Sequence, residues 1–240
     1  QFKALEQSDK QRKELLTHLS HDLRTPLASL QGFLEVLNQS GSQLNAKEQQ
    51  EYLHVSLNNC AQLKQLIEQI FELAHLENGE ISIHKETFNL GELIYDCIAK
   101  FSLTAEKKGL NLTVEPAICD FPVVADIAKL ERVLSNLIDN AIRHTPKGGS
   151  IAVNVKRIDE KQLFVQVSDT GVGIKHDELN AIFNPHYQAS NSNNEGRQQG
   201  GLGLAICKGL LKLMDSKINV QSELGKGTMF SFNLPQKIKV

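Results

Sequence analysis

Between Phe2 and about Leu37 the apolar residues Leu5, Leu15, Leu16, Leu19, Leu23, Leu27, Leu30, Phe33, Leu34 and Leu37 recur mostly at steps of three and four. That period belongs to a helix with one buried stripe, and at 1.5 Å per residue such a helix would be roughly 50 Å long. Asn38 to Asn45 (NQSGSQLN) is rich in turn formers, and beyond it Leu53, Leu57, Cys60, Lys64, Ile67, Phe71 and Ala74 continue a heptad-like seam to about Leu76. Two long helices joined by a short loop make an antiparallel hairpin. One hairpin hides only part of its stripe against itself, so the remainder predicts a second hairpin, most simply from an identical chain in a four-helix bundle. A homodimer is expected.

The helical pattern stops at Glu77-Asn78-Gly79-Glu80, and short β-branched runs alternating with amphipathic segments replace it. The expected division is residues 1–78 and 79–240. Ile81 to Ile83, Asn111 to Val114, Val123 to Val124, Ile151 to Ile158, Gln162 to Ser168, Lys217 to Ser222 and Thr228 to Leu234 read as strands; Leu90 to Lys108, Ile127 to His144, His176 to Ile182 and Leu202 to Met214 read as helices. Consecutive hairpins, Ile151 with Gln162 and Lys217 with Thr228, imply an α/β domain with an antiparallel or mixed sheet and helices on one face. The polar stretch Asn184 to Gly201 has too little apolar content to pack and reads as a mobile loop or lid.

Composition narrows the function. With 26 basic and 28 acidic side chains in 240 residues the formal charge is -2, which leaves no electrostatic footprint for nucleic acid. No run of eighteen apolar residues occurs and Gln1 to Lys13 lacks the apolar core of a signal peptide, so the expectation is a cytosolic segment without membrane contact. Cys60, Cys97, Cys119 and Cys207 form no CxxC pair and read as small buried hydrophobes.

Five segments carry chemistry. In Ser20-His21-Asp22-Leu23-Arg24-Thr25-Pro26-Leu27, His21 and Thr25 share a helical face, and Pro26 leaves the Asp22 carbonyl without its usual donor, so a bend is expected one turn from His21. An imidazole, a carboxylate and a hydroxyl around one turn suit proton handling or covalent transfer. Asn136 and Asn140 share a face of a later helix that ends in Arg143 and His144; amide oxygens can complete an octahedral magnesium held mainly by phosphate and water, and a guanidinium can meet a phosphate. Asp169-Thr-Gly171-Val-Gly173-Ile174 places a carboxylate beside glycines that let backbone approach a planar ligand. Gly200-Gly201-Leu202-Gly203-Leu204 opens a helix whose free N–H groups would hold an anion. Gly225-Lys226-Gly227-Thr228 is by itself a common hairpin connection. None is the Walker pattern GxxxxGK(S/T) or a GxGxxG between a parallel strand and its helix.

Taken in this order, the segments resemble a sensor histidine kinase of two-component signalling over nearly the whole chain. The resemblance implies a dimerisation and phosphotransfer hairpin followed by an ATP-binding domain of the Bergerat type, shared with gyrase and Hsp90. It makes His21 the phosphoacceptor, Asp22 its proton acceptor, and Thr25 the residue that positions water for dephosphorylating the partner. Asn140 resembles the magnesium ligand, assisted by Asn136, and Asp169 the residue that reads the adenine amino group. Gly171, Gly173, Ile174, Gly201, Leu202, Gly203, Leu204 and Thr228 would border the nucleotide and its lid. Arg143 and His144 would lie at the phosphate side, with Tyr187 and Arg197 on the lid. The chain departs from the family pattern at Gln199, where a glycine is usual, at His186, where an aromatic is common, and at His144, often a tyrosine.

Bergerat-fold ATPases place a water-activating glutamate four residues before the metal-binding asparagine; here that position is Asn136. A neutral amide cannot take a proton from water, so the expected reaction is transfer of the ATP γ-phosphoryl group to His21 and onward to an aspartate of a response-regulator receiver domain. The alternatives are an ATPase of the same fold and a nucleotide-binding dimeric scaffold without kinase activity. Phe2-Lys-Ala-Leu-Glu-Gln-Ser-Asp resembles a coiled-coil connector, which in the family leads back to an inner-membrane receptor of a bacterium.

Overall fold

Asn45 decides where the second helix begins. Its Oδ1 accepts from the Glu48 amide at 2.9 Å while Glu48 Oε2 accepts from the Asn45 amide at 2.9 Å, a reciprocal cap that satisfies two otherwise orphaned donors. In the computed structural model, which describes residues 2–40, 43–116, 120–185, 187 and 201–237, this cap starts α2 (Ala46–Glu77), preceded by α1 (Phe2–Ser40). The helices run antiparallel: Asn59 Nδ2 donates to Ser29 Oγ at 3.0 Å, and the Phe33 and Tyr52 rings lie 5.4 Å apart. Helix α1 is continuous through Pro26.

The seam is where sequence and structure part. Of the residues expected on it, Leu53, Leu57, Ile67 and Phe71 are 50%, 68%, 43% and 61% exposed. Helix α2 instead buries Ser56, Leu66, Gln69 and Leu73, and three of these stand one residue before an expected seam position, about 100° around the helix. The hairpin therefore closes on one stripe and leaves a second, more apolar one open. Cys60 lies on that open side and is exposed, against expectation; Cys97 and Cys207 are buried, and Cys119 lies outside the described residues.

Helix α2 ends where Gly79, at φ +70°, reverses the chain and lets Glu80 N–H reach the His75 carbonyl at 2.9 Å. Two compact units are distinguished, dividing α2 between Ala74 and His75; Gly201 and Leu202 group with the hairpin, and Gly203 onward with the second unit.

The second unit is built on a mixed sheet of β2 (Asn111–Glu115), β4 (Ser150–Arg157), β5 (Gln162–Asp169), β6 (Asn219–Glu223) and β7 (Gly227–Pro235), in the order β2-β4-β5-β7-β6. The β2–β4 pair is parallel and the others antiparallel. Alternate residues Ile151, Val153 and Val155, Leu163, Val165 and Val167, Phe230, Phe232 and Leu234 are buried, the period-two signature of a sheet with one covered face. The cover is α3 (Leu90–Lys108), α4 (Ile127–His144) and α5 (Gly203–Leu213). Helix α4 buries Leu130, Val133, Leu134, Leu137, Ile138, Ala141 and Ile142; at about 1.5–3 kcal/mol for each large side chain, this face holds the helix down, and its opposite edge carries the polar residues of interest.

Ile81 to Ile83, expected as a strand, is not one. Its place is taken by β1 (Glu86–Asn89), which pairs antiparallel with the four-residue β3 (Pro122–Ala125), Phe88 lying opposite Val123. A strand needs a partner edge, and β3 pairs with β1 and is bridged by Gln236 through Val123. Just before it, the His84 amide is taken by Asp126 Oδ2 at 2.9 Å, while Asp126 Oδ1 caps α4 through Lys129 N–H at 3.0 Å. His176 to Ile182, expected as a helix, is a single 3-10 turn at His176–Glu178 followed by turns.

Candidate active site

On α1, His21 is 65% exposed and Asp22 only 11% by side chain, with Nδ1 of the imidazole 3.4 Å from Asp22 Oδ1. Adjacent helical residues point about 100° apart, and the pair meets because the imidazole turns back toward the half-buried carboxylate. Thr25 Oγ1 donates to the His21 carbonyl at 3.3 Å from an exposed position. His21, Asp22 and Thr25 thus occupy one turn, and the second ring nitrogen of His21 stands on the side away from the carboxylate.

In the second unit, Asp169 closes β5 and is the centre of the remaining residues. Its Oδ1 accepts from the amides of Gly171 at 2.8 Å and Thr228 at 3.3 Å. Its Oδ2 has no partner among the described residues. Burial pushes the carboxyl above its usual range, and the two backbone donors pull it back. Gly171 is dictated by space: a Cβ there would stand 2.5 Å from the His144 carbonyl oxygen and 2.6 Å from Asp169 Oδ1. Gly173, at φ +68°, would run into the Glu223 carbonyl at 2.1 Å. The turn between them is pinned by Val172 N–H to the His144 carbonyl at 3.2 Å and by Ile174 N–H to Ser222 Oγ at 2.8 Å.

Helix α4 brings Asn136 and Asn140 to one edge, one turn apart, both half-buried. Asn136 Nδ2 is buried with no hydrogen-bond partner among the described residues, a costly state for an amide that a ligand would relieve. Among the described residues, a Cβ on Gly203 would meet only the Asn136 amide, at 3.7 and 3.8 Å. Helix α5 begins at Gly203, beside Asn136, and its first turn contains no acidic residue, so the N–H groups of that turn meet no carboxylate of their own turn. Unmet amide donors, a carboxylate with one oxygen unused and a helix start suit a nucleotide: an amino-bearing base at Asp169 and phosphates at α5, with Asn140 and Asn136 supplying hard oxygens for a divalent cation.

Arg143 forms an ion pair with Asp139 one turn back on α4. His144 is held below its ordinary pKa, first by burial and then by the charges of Arg143 and Lys108. Lys108, on α3, escaped the sequence reading: its ammonium donates to the carbonyls of Ile142 at 2.6 Å and Arg143 at 2.8 Å, capping the end of α4. Ser222 escaped it too, because a lone serine in a strand carries no signal until the register places it opposite Thr228. Tyr187 donates through its hydroxyl to Glu178 Oε1 at 3.1 Å. Gly201 is left-handed at φ +55° and Leu202 is buried; Leu204 is half-buried in the first turn of α5. Arg197, His186 and Gln199, with most of the expected lid, lie outside the described residues.

Residues 11–79 match the His Kinase A (phospho-acceptor) domain, and residues 125–238 match the histidine kinase-, DNA gyrase B- and HSP90-like ATPase family. The chain is 34% identical over 229 residues to Sensor protein SrrB of Staphylococcus aureus, covering 95% of this chain and 39% of that protein; it thus spans about two fifths of the length of that curated relative. Among solved structures, full-length ShkA in complex with AMPPNP matches 95% of this chain and 46% of its own, with a TM-score of 0.68 and 26% identity. The histidine kinase ThkA in complex with response regulator protein TrrA matches 98% of this chain and 66% of its own, with a TM-score of 0.72; at 23% identity it speaks to the fold.

Proposed function

Since the chain belongs to the sensor histidine kinases of two-component signalling, we propose that it binds Mg-ATP in the second unit, phosphorylates His21, and passes the phosphoryl group to an aspartate of a response-regulator receiver domain. Residues 1–78 serve as the dimerisation and phosphotransfer domain and 79–240 as the catalytic domain. Asp169 reads the adenine amino group; Gly171, Gly173, Ile174 and Thr228 border the base; Asn136, Asn140, Arg143, His144 and the first turn of α5, with Gly201, Leu202, Gly203 and Leu204 around it, receive the phosphates; Tyr187 and Arg197 belong to the lid. A magnesium ion held by Asn140, with Asn136 assisting, would neutralise phosphate charge.

The residues of α1 do the chemistry. With Nδ1–H of His21 directed at Asp22, the Nε2 lone pair attacks the γ-phosphorus, an N–P bond forms as the bond to the β-phosphate oxygen breaks, and the proton on Nδ1 passes to the Asp22 carboxylate. Thr25 positions water when the same surface dephosphorylates the regulator. That the histidine kinase ThkA is seen in complex with response regulator protein TrrA supports a receiver domain as partner. The open apolar stripe of α2 supports a homodimer. The whole protein is proposed to be an inner-membrane receptor of a bacterium, of which this chain is a cytoplasmic part; no described helix here is long and apolar enough to cross a membrane.

The observation that carries transfer over hydrolysis is Asn136: its neutral amide, without a partner at Nδ2 among the described residues, stands where an ATPase of this fold has its glutamate base. Incubation of the chain and of His21→Ala with γ-labelled ATP and magnesium tests it. Acid-labile, alkali-stable label on the wild type and none on His21→Ala is the expected result. Release of phosphate without labelled protein would establish an ATPase instead, and nucleotide binding with neither signal would leave a scaffold.

A further inference from the structure

Ser222 on β6 has a hydroxyl whose every bond is assigned. Its oxygen accepts from the Ile174 amide at 2.8 Å, and it lies 2.7 Å from the carbonyl of Gly227, which can only accept. The single hydroxyl proton of Ser222 is therefore spent on Gly227. The third neighbour, Thr228 Oγ1, is 2.9 Å away. Ser222 has no proton left to give it, so Thr228 must donate to Ser222. That consumes the only proton of the Thr228 hydroxyl and leaves its lone pairs with no donor among the described residues, although Thr228 is just 8% exposed.

The amide of the same Thr228 donates to Asp169 Oδ1 at 3.3 Å, and Asp169 Oδ2 is also without a donor. Two groups on paired residues of β5 and β7 thus present oxygen lone pairs with no donor among the described residues. Such a surface accepts from an N–H and repels a carbonyl, and sites that hydrogen-bond one partner discriminate strongly against an analogue of reversed polarity. We infer that Ser222 is a positioning residue that fixes the sense of the Thr228 hydroxyl, making it an acceptor and thereby adding to the preference for a 6-amino over a 6-oxo purine. The inference rests on the ATP reading of the site, and it concerns a residue that need not touch the nucleotide.

Removing the Ser222 hydroxyl releases the Thr228 proton, which can then turn toward a ligand carbonyl. The test is equilibrium binding, by calorimetry on the full chain, of ATP and of inosine triphosphate to the wild type, Ser222→Ala and Ser222→Thr. Wild type should favour ATP, and Ser222→Ala should lower the ATP-to-ITP affinity ratio about threefold to tenfold, the range of one neutral hydrogen bond. Ser222→Thr, which keeps the hydroxyl, should restore the ratio. Equal weakening of both nucleotides in Ser222→Ala would mean that Ser222 only braces the Ile174 turn, and would overturn the assignment. If the wild type binds neither nucleotide, the ATP reading itself fails and this inference falls with it; a wild type that binds both without preference overturns the inference while leaving nucleotide binding intact.

Discussion

Asp22 holds His21 by one ring nitrogen only: Nδ1 is 3.4 Å from Oδ1, and the ring geometry puts Nε2 on the opposite side, free of that carboxylate. Asp22→Asn keeps the shape and removes the base. Phosphorylation of His21 should slow by about 10²-fold or more, with ATP affinity and helix content unchanged. An unaltered rate, read from the initial slope of acid-labile label, would show that the carboxylate takes no proton.

Asp169→Asn separates binding from stability. The carboxylate is disfavoured by burial, and an asparagine oxygen can still accept from the Gly171 and Thr228 amides. The variant should therefore melt no lower than wild type at pH 7, while ATP affinity drops about tenfold or more through loss of a charged acceptor. A fall in Tm with unchanged affinity would make Asp169 a structural residue.

Two glycine-to-alanine changes should part in the same way. At Gly171 the new methyl meets the His144 carbonyl and Asp169, at 2.5 and 2.6 Å, and a loss of stability of about 2 kcal/mol or more is expected from overpacking against backbone. At Gly203 the nearest atoms belong to Asn136, at 3.7 and 3.8 Å, so denaturant midpoints should hold while nucleotide affinity weakens, because the methyl fills the space proposed for phosphate. Equal destabilisation of both variants would contradict this.

His144 supplies a pH dependence of known sign. Burial and the neighbouring cations hold its pKa below the ordinary 6.5, so below that value the unfolded chain takes up a proton that the folded one resists. Its contribution to stability is complete above pH 6.5 and is lost as pH falls through the depressed folded value. Tm should drop between pH 7 and acid, and His144→Phe should flatten that slope; a variant with the wild-type slope would place the effect elsewhere.

The open stripe of α2 predicts an oligomer. Leu57 and Phe71 are 68% and 61% exposed, and burying such side chains is worth about 1.5–3 kcal/mol each. Leu57→Glu combined with Phe71→Glu should halve the sedimenting mass and leave the second unit's ATP affinity intact. A wild type that sediments as a monomer at micromolar concentration would remove the dimer.

Much of this was legible in the sequence because it depends on local chemistry. A stripe of leucines at three and four marks a helix, and Asp169 with Gly171 and Gly173 is a pattern visible in one short segment even though His144, Ser222 and Thr228 hold its turn from elsewhere. What depends on distant partners was not legible. Ile81 to Ile83 has strand composition but pairs with no strand, whereas Glu86–Asn89 lies along β3. The α2 seam lies one residue earlier than the apolar pattern indicates: Ser56 is buried where Leu57, the more apolar of the two, is exposed. Lys108 and Ser222 gain their roles from carbonyls and hydroxyls contributed by other elements. The chemistry of His21 needs its neighbour and a nucleotide; only the first is written beside it.

Asp126 is buried at 5% exposure, and its two oxygens answer to different segments: Oδ1 to the start of α4, Oδ2 to the His84 amide in the stretch that leads away from α2. Shifting that stretch by even one residue would strand a buried carboxylate oxygen. The connecting stretch and the first turn of the asparagine-bearing helix are therefore tied through one carboxylate, so that a displacement at His84 is opposed by the same group that holds Lys129.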